Sequence, residues 1–216
     1  MDTVVTPPPV LIKWGVAARA LAGQTASGDL HVGTPFPGGV LVGVVDGLGH
    51  GEEAAAAANI AVATLAAYAH ESVIPLLQRC HEQLKGTRGV VLSLASFNAQ
   101  ESAMTWVGVG NVEGVLWRAD VDARPASVSI PLRGGVVGYQ LPPLRAAVLP
   151  VTRGDLVVFA TDGIRSSFAQ GLPLSDRLLR QAPDGPQHIA DRILAQYGKN
   201  TDDALVLVVR YLGGAP

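Results

Sequence analysis

Residues 39–65 read GVLVGVVDGLGHGEEAAAAANIAVATL, and this stretch decides the fold. Residues 40–45 are apolar and mostly β-branched, which predicts a buried strand. Asp46 stands at the end of that strand and is followed by a glycine-rich turn. Glu52 and Glu53 then open an alanine-rich run; alanine has the best helix propensity, and acidic residues favour the N-terminal end of a helix. A carboxylate therefore lies where a central strand passes through a glycine turn into a helix.

The rest of the chain alternates runs of strands with pairs of helices. We predict helices at residues 52–70, 72–84, 175–181 and 186–197. We predict strands at residues 10–21, 30–32, 40–45, 89–95, 103–109, 112–118, 126–131, 144–149, 156–160 and 204–211. Short turns separate most of the strands, which favours antiparallel pairing. The order predicts an α+β domain with two antiparallel sheets and helices outside them.

Composition limits the classes of protein and partner. We predict one domain over residues 10–216 after a flexible lead at residues 1–9, which ends in three prolines. A net charge of −2 and an aromatic content of 5% do not favour nucleic acid. Cys80 is the single cysteine, so no internal disulfide can form, and we expect it in the core. No signal peptide or membrane-spanning run is visible, so we expect a cytoplasmic protein with no membrane partner. We separately expect a monomer.

Four aspartates lie beside glycines or turns: Asp29, Asp46, Asp162 and Asp202. One such residue alone is most often a turn residue, because Asp bonds its own backbone and tolerates left-handed geometry. As a set they point elsewhere, because Asp46, Asp162 and Asp202 each border an apolar run. Strand ends brought together by a sheet would gather several negative charges, which repel one another unless a cation or proton neutralises them. Hard divalent cations such as Mg²⁺ or Mn²⁺ suit oxygen ligands of this kind.

The glycine turn has an alternative interpretation as a dinucleotide-binding loop. Its spacing, Gly47-x-Gly49-x-Gly51, does not fit G-x-G-x-x-G. Glu52 and Glu53 also occupy the first helical turn, where they would repel a pyrophosphate. The sequence therefore disfavours this alternative.

Three motifs resemble those of metal-dependent protein phosphatases. They are DGLGHG at residues 46–51, ATDGI at 160–164 and NTDDALVL at 200–207, with an SGD motif before them at 27–29. Their order and spacing resemble the protein phosphatase 2C (PPM) superfamily in its bacterial SpoIIE/RsbX branch, over about residues 10–211. Within that branch, a catalytic domain of this length is most similar to the feedback phosphatases of the stressosome.

The resemblance implies a four-layer αββα sandwich with two Mn²⁺ or Mg²⁺ ions between the sheets. Carried over by position, Asp46 would bridge both ions, the Gly47 carbonyl would bind one, and Asp29 would lie beside the first. Asp162 and Asp202 would hold the second. The resemblance makes Asp46, Asp162 and Asp202 catalytic. It also places Asp203 at the metal centre, as a residue behind the direct ligands.

The chain departs from the family pattern at its candidate general acid. Many eukaryotic members have a histidine directly after the Asp-Gly pair, where this sequence has Leu48. His50 and Arg165 are the remaining candidates for a general acid or a substrate contact. Arg19 is a candidate for the phosphate-binding arginine of the eukaryotic enzymes, and a solvated position at a strand edge is its alternative.

The resemblance implies a metal-dependent serine/threonine protein phosphatase. A metal-activated water would hydrolyse phosphoserine or phosphothreonine on bacterial stress-signalling proteins, and the partners would be phosphorylated STAS-domain proteins of a stressosome. One alternative is a catalytically weak phosphoprotein-binding module of the same fold, which Leu48 leaves open. Another is an unrelated metal hydrolase such as a phosphodiesterase, although the HD and DHH histidine patterns of such enzymes are missing from the sequence.

Overall fold

The computed structural model describes residues 10–171 and 185–213. The strands of these residues are β1 (Ile12–Arg19), β2 (Asp29–Phe36), β3 (Gly39–Gly47), β4 (Val90–Asn98), β5 (Ala103–Val109), β6 (Glu113–Trp117), β7 (Ser127–Ser129), β8 (Leu132–Arg133), β9 (Ala147–Pro150), β10 (Leu156–Ala160) and β11 (Ala204–Tyr211). The helices are α1 (Glu52–Ala67), α2 (Val73–Leu84), α3 (Phe168–Gly171) and α4 (Gly185–Tyr197).

The strands form two sheets. Sheet A has the order β1-β11-β10-β6-β7, and sheet B has the order β2-β3-β4-β5-β8, with β9 also paired to β5. The pairs are antiparallel apart from β5 and β8, which run parallel. That pair corrects the expectation of purely antiparallel sheets. Strand β8 follows β7, which belongs to sheet A, so no hairpin connects β8 to β5. The two strands can therefore pair in the same direction.

The core consists of three apolar layers, which make the molecule a four-layer αββα sandwich. The alternation of β3 shows how they are built: Val42 and Val44 face sheet A, whereas Leu41 and Val45 face α1 and α2. Between the sheets, the rings of Phe97 and Tyr211 stack with centroids 5.8 Å apart. A third cluster packs α3 and α4 against the outer face of sheet A. The predicted fold class is confirmed.

Helices α1 and α2 cover sheet B through small and aliphatic residues. The buried face of α1 is mostly alanine, including Ala54, Ala58 and Ala61, which lets its backbone approach the sheet closely. Cys80 is buried in α2, as expected, and burial raises the pKa of its thiol to about 12. Among the described residues, no helix combines the length and apolar character needed to cross a membrane.

The predicted elements are found with shifted ends. The predicted first helix ends at Ala67, where residue 70 was expected, because Tyr68 leaves helical geometry. Strand β2 continues to Phe36, where residue 32 was the expected end, so only a tight turn at Pro37 and Gly38 separates it from β3. The predicted helix at residues 175–181 and the predicted lead at residues 1–9 lie outside the described residues.

Candidate functional site

Sheet B brings two of the predicted aspartates directly opposite each other. Strands β2 and β3 pair in a register that aligns Asp29 with Asp46. Asp29 is 4% exposed and Asp46 is half-buried. The turn after Asp46 requires glycine, because a Cβ added to Gly47 would lie 2.2 Å from the carbonyl oxygen of Ala54 in α1. Helix α1 therefore packs against the end of the strand that carries Asp46.

Sheet A supplies the other aspartates. Asp162 follows β10, and Asp202 and Asp203 precede β11; because these strands are antiparallel, the end of one meets the start of the other. The two segments touch so closely that a Cβ added to Gly163 would lie 1.8 Å from the carbonyl oxygen of Asp203. This contact explains why glycine follows Asp162.

The electrostatics show that the four carboxylates form one cluster. Burial raises the pKa of Asp46 to about 8, and the charges of Asp29, Asp162, Asp202 and Asp203 add to the increase. Burial likewise raises the pKa of Asp29 to about 7, against the lowering effect of a hydrogen bond from Thr161. The pKa of Asp202 is also raised, first by burial and then by the charge of Asp162. The neighbouring carboxylates therefore make ionisation of Asp29, Asp46 and Asp202 harder.

Three side chains that the sequence analysis did not identify hold the cluster in place. The Thr161 hydroxyl donates to Asp29 Oδ2 at 2.7 Å and accepts the backbone N–H of Leu205 at 2.9 Å. Asn111 Nδ2 donates to Asp162 Oδ2 at 2.9 Å, and Lys199 Nζ donates to the carbonyl oxygen of Asp162 at 2.6 Å. Thr161 lies within the quoted ATDGI motif, directly before Asp162, which was the available signal for it.

Asp203 is used differently from the other aspartates. Its Oδ1 accepts the backbone N–H of Leu21 at 2.7 Å, and its Oδ2 accepts that of Gly28 at 2.7 Å. Both oxygens of this buried carboxylate therefore tie the loop between β1 and β2 to the start of β11. The loop delivers Asp29, so Asp203 fixes the position of another aspartate. Its predicted place behind the metal ligands stays a prediction.

The remaining candidates lie at the rim. His50 and Arg165 have exposed side chains, and Leu48 is half-buried against the core between the sheets. The backbone N–H of Arg165 donates to the carbonyl oxygen of Tyr197 at 2.9 Å. The Arg19 guanidinium donates to the carbonyl oxygen of Lys199, which places it beside the segment that leads to β11.

The cluster fits a divalent cation in charge and in donor type. Asp29, Asp46, Asp162 and Asp202 offer only oxygen, which Mg²⁺ and Mn²⁺ prefer. Within residues 10–171 and 185–213, no three His, Cys, Asp or Glu side chains already converge closely enough to hold an ion.

The fold is shared with known phosphatases. RsbX crystallised with magnesium is 20% identical to this chain and superposes with a TM-score of 0.76 over 95% of this chain and 98% of its own. A chain from a study of the bacterial stressosome, as a modular system adapted to control secondary messenger signalling, is 30% identical. Its TM-score is 0.82 over 92% of this chain and 99% of that chain. The αββα sandwich is that of the protein phosphatase 2C class.

The sequence identifies the branch of that class. Residues 37–212 match the family described as stage II sporulation protein E (SpoIIE). The phosphoserine phosphatase RsbX of Bacillus subtilis (strain 168) is 29% identical over 138 residues, which cover 61% of this chain and 67% of that protein. The chain belongs to the SpoIIE family. The predicted family and enzyme class, a protein-serine/threonine phosphatase, are confirmed.

Proposed function

We propose that this phosphatase hydrolyses phosphoserine or phosphothreonine on STAS-domain stressosome proteins. The observation that carries the catalytic part is the carboxylate cluster: burial raises the pKa values of Asp29 and Asp46 in sheet B, and the charges of Asp162 and Asp202 at the ends of the sheet A strands raise them further. The proposal for the substrate rests on the similarity to RsbX and to the chain from the stressosome study.

We further propose two Mn²⁺ or Mg²⁺ ions as cofactors. Asp29, Asp46 and the Gly47 carbonyl from sheet B, with Asp162 and Asp202 from sheet A, would hold them. When bound, such ions make water more acidic and offset the negative charge of phosphoryl oxygens.

The chain's own residues would keep these ligands in place. Thr161 holds one oxygen of Asp29, and Asn111 holds one oxygen of Asp162. Lys199 holds the backbone of Asp162, and its charge lowers the pKa of Asp202. With Leu48 where many relatives have histidine, we expect the leaving serine or threonine oxygen to take its proton from water.

Hydrolysis of p-nitrophenyl phosphate tests the chemistry. We expect turnover with Mn²⁺ or Mg²⁺, none with EDTA, and a loss of at least about 100-fold in Asp46→Asn, because that change removes the shared ligand. Asp191→Asn is a matched control, since Asp191 is an exposed carboxylate on α4, on the outer side of sheet A. Metal-independent turnover, or full activity in Asp46→Asn, would contradict the proposed site.

A phosphorylated STAS-domain protein tests the substrate. We expect a higher kcat/KM on the folded phosphoprotein than on a peptide with the same phosphoserine. Equal values would argue against docking of a folded partner. A folded wild-type protein that binds the phosphoprotein but turns over neither substrate with any divalent metal would instead support the phosphoprotein-binding module.

A further inference from the structure

Arg88 lies against the turn that follows the central strand. It stands in the connection between α2 and β4, and its guanidinium lies over Gly49: a Cβ added there would lie 2.6 Å from Arg88 Nη1. Gly49 has a φ of +89°, a conformation that favours glycine. The glycine therefore leaves space that the arginine fills.

The backbone fixes this arrangement beside Asp46. The N–H of Leu48 donates to the carbonyl oxygen of Gly89 at 3.2 Å, and Asp46 pairs with Val91 across β3 and β4. Arg88 is therefore linked, through Gly89, to the end of β3 that carries Asp46. Its guanidinium lies on the side of the turn reached from solvent, because the side chain is 49% exposed.

Glu53 holds the guanidinium in place. Its carboxylate forms an ion pair with Arg88 Nη2 from the first turn of α1, and its own side chain is 71% exposed. An ion pair this exposed contributes little to stability. A guanidinium has five N–H donors in a planar fork, so those beyond Nη2 can bind a second anion while Glu53 stays bound.

The other cations that contact the site's backbone are engaged differently. Arg19 donates to the carbonyl oxygen of Lys199, and Lys199 donates to that of Asp162. Both thereby hold the segments that carry Asp162 and Asp202. Arg88 differs from them in two ways. It forms an ion pair with a solvent-exposed carboxylate, that of Glu53, and its guanidinium lies over the turn after Asp46.

We propose that Arg88 binds the phosphate of the phosphomonoester substrate and that Glu53 is the residue that positions it. The proposal rests on the proposed phosphatase function and adds a phosphate-binding arginine, a role for which Arg19 was a candidate in the sequence. A dianionic phosphate approaching a cluster of carboxylates needs a nearby cation, and guanidinium groups bind phosphate through two parallel hydrogen bonds.

Steady-state kinetics on a phosphoserine peptide at saturating Mn²⁺ separate binding from catalysis. We expect Arg88→Ala to raise KM by about tenfold with a smaller change in kcat, because the contact is made in the ground state and the transition state alike. Arg88→Lys should recover part of the loss, since it keeps the charge without the fork. Glu53→Gln should raise KM by less than Arg88→Ala does, and Glu53→Asp should restore part of it.

Lys85→Ala is the matched control. Lys85 is an exposed cation three residues away that pairs with Glu82, so its removal should leave KM unchanged. Thermal unfolding should give all of these surface variants the same Tm as the wild type. A twofold or smaller change in KM for Arg88→Ala, with an active wild type, would overturn the role of Arg88 and leave the proposed function standing.

Binding of inorganic phosphate, the reaction product, provides a measurement that does not need turnover. Calorimetric titration of the Mn²⁺-loaded protein should give a Kd about tenfold weaker for Arg88→Ala than for wild type or Lys85→Ala. If the wild type proves inactive, the phosphatase proposal fails, and this titration still decides on Arg88. Equal affinities, or no phosphate binding by the wild type, would overturn the proposal.

Discussion

At the scale of single residues, the site depends on side chains that hold aspartates as much as on the aspartates themselves. Thr161 is the clearest case, because its one hydroxyl joins Asp29 in sheet B to the backbone of Leu205 in sheet A. Asp203 is the second, because its two oxygens fasten the loop that ends in Asp29.

We predict that Thr161→Val lowers the free energy of unfolding by about 1–3 kcal/mol, because it leaves the buried N–H of Leu205 and one oxygen of Asp29 without their partner. Removing the hydroxyl also removes the hydrogen bond that lowers the pKa of Asp29, so Mn²⁺ should bind more weakly at pH 7. Urea denaturation and Mn²⁺ titration measure the two effects. Thr64→Val is the control, since the Thr64 hydroxyl bonds only within α1. An unchanged Mn²⁺ affinity would contradict the role of Thr161.

We predict that Asp203→Asn lowers the free energy of unfolding by about 1–3 kcal/mol, because the amide turns a donor toward one backbone N–H. Protease sensitivity of the loop at residues 20–28 should increase with it. Asp120→Asn is the control, since the exposed Asp120 carboxylate also accepts a backbone N–H, from Asp122. Weaker metal binding at unchanged stability would instead make Asp203 a metal ligand.

At the scale of elements, close backbone contacts fix how the helices sit on the sheets. A Cβ added to Gly15 in β1 would lie 2.3 Å from the Cα of Gln187 in α4. The side chain of Gln187 then bonds both backbone groups of Val16, accepting its N–H at 3.0 Å and donating to its carbonyl oxygen at 2.8 Å. Helix α4 thus covers β1 at the edge of sheet A.

We predict that Gly15→Ala destabilises the protein by at least about 2 kcal/mol, because the methyl group meets backbone that cannot rotate away. Gly134→Ala should change stability by less than about 0.5 kcal/mol, since a Cβ there meets nothing within 4 Å. The midpoints of urea denaturation compare the stabilities of the two variants. Equal midpoints would show that α4 can shift away from β1 at little cost.

The sequence predicted most of the elements and the positions of the aspartates, because both come from local patterns. The valine-rich β3 and the alanine-rich α1 have strong periodicity, and glycine marks the turn that follows Asp46. The short strands β8 and β9 are partly exposed and have little pattern, so their pairing with β5 was not predicted.

The contacts around the aspartates could not be predicted in the same way. Asn111 and Asp162 are 51 residues apart in the chain, and only the pairing of β6 with β10 brings them together. The ion pair of Arg88 with Glu53 likewise depends on how α1 and the turn before β4 meet. An asparagine such as Asn111 or an arginine such as Arg88, seen in the sequence alone, does not indicate which distant residue it will contact.

At the scale of the whole molecule, the carboxylate cluster links stability to pH. The pKa values of Asp29 and Asp46 rise from 3.8 to about 7 and about 8, so the metal-free folded state keeps protons that the unfolded chain has released. The stability gained by keeping them is present at low pH and lost as pH rises toward 8. His31 has the opposite effect, because burial lowers its pKa.

We predict that, in EDTA, the free energy of unfolding of the wild type falls between about pH 5 and pH 8, by up to about 1.4 kcal/mol per pH unit for each aspartate. Asp46→Asn should be the more stable protein at pH 8 without metal, because it removes one buried charge. Mn²⁺ should stabilise the wild type at pH 8 and stabilise Asp46→Asn far less. Urea denaturation across pH measures all three, and a wild type equally stable at pH 5 and pH 8 would contradict the prediction.

The order of strands in sheet A has a consequence for synthesis on the ribosome. Sheet B, apart from β8 and β9, is built with α1 and α2 from one continuous stretch, β2 to β5, whereas β11 lies between β1 and β10 in sheet A. Sheet A therefore cannot be completed until residues 204–211 emerge, and these residues add Leu205, Leu207, Val209 and Tyr211 to the core between the sheets. Until then, the inner face of sheet B is an uncovered apolar surface on the nascent chain, of the kind that chaperones bind. Asp202 and Asp203 therefore join the carboxylate cluster only when β11 completes the core.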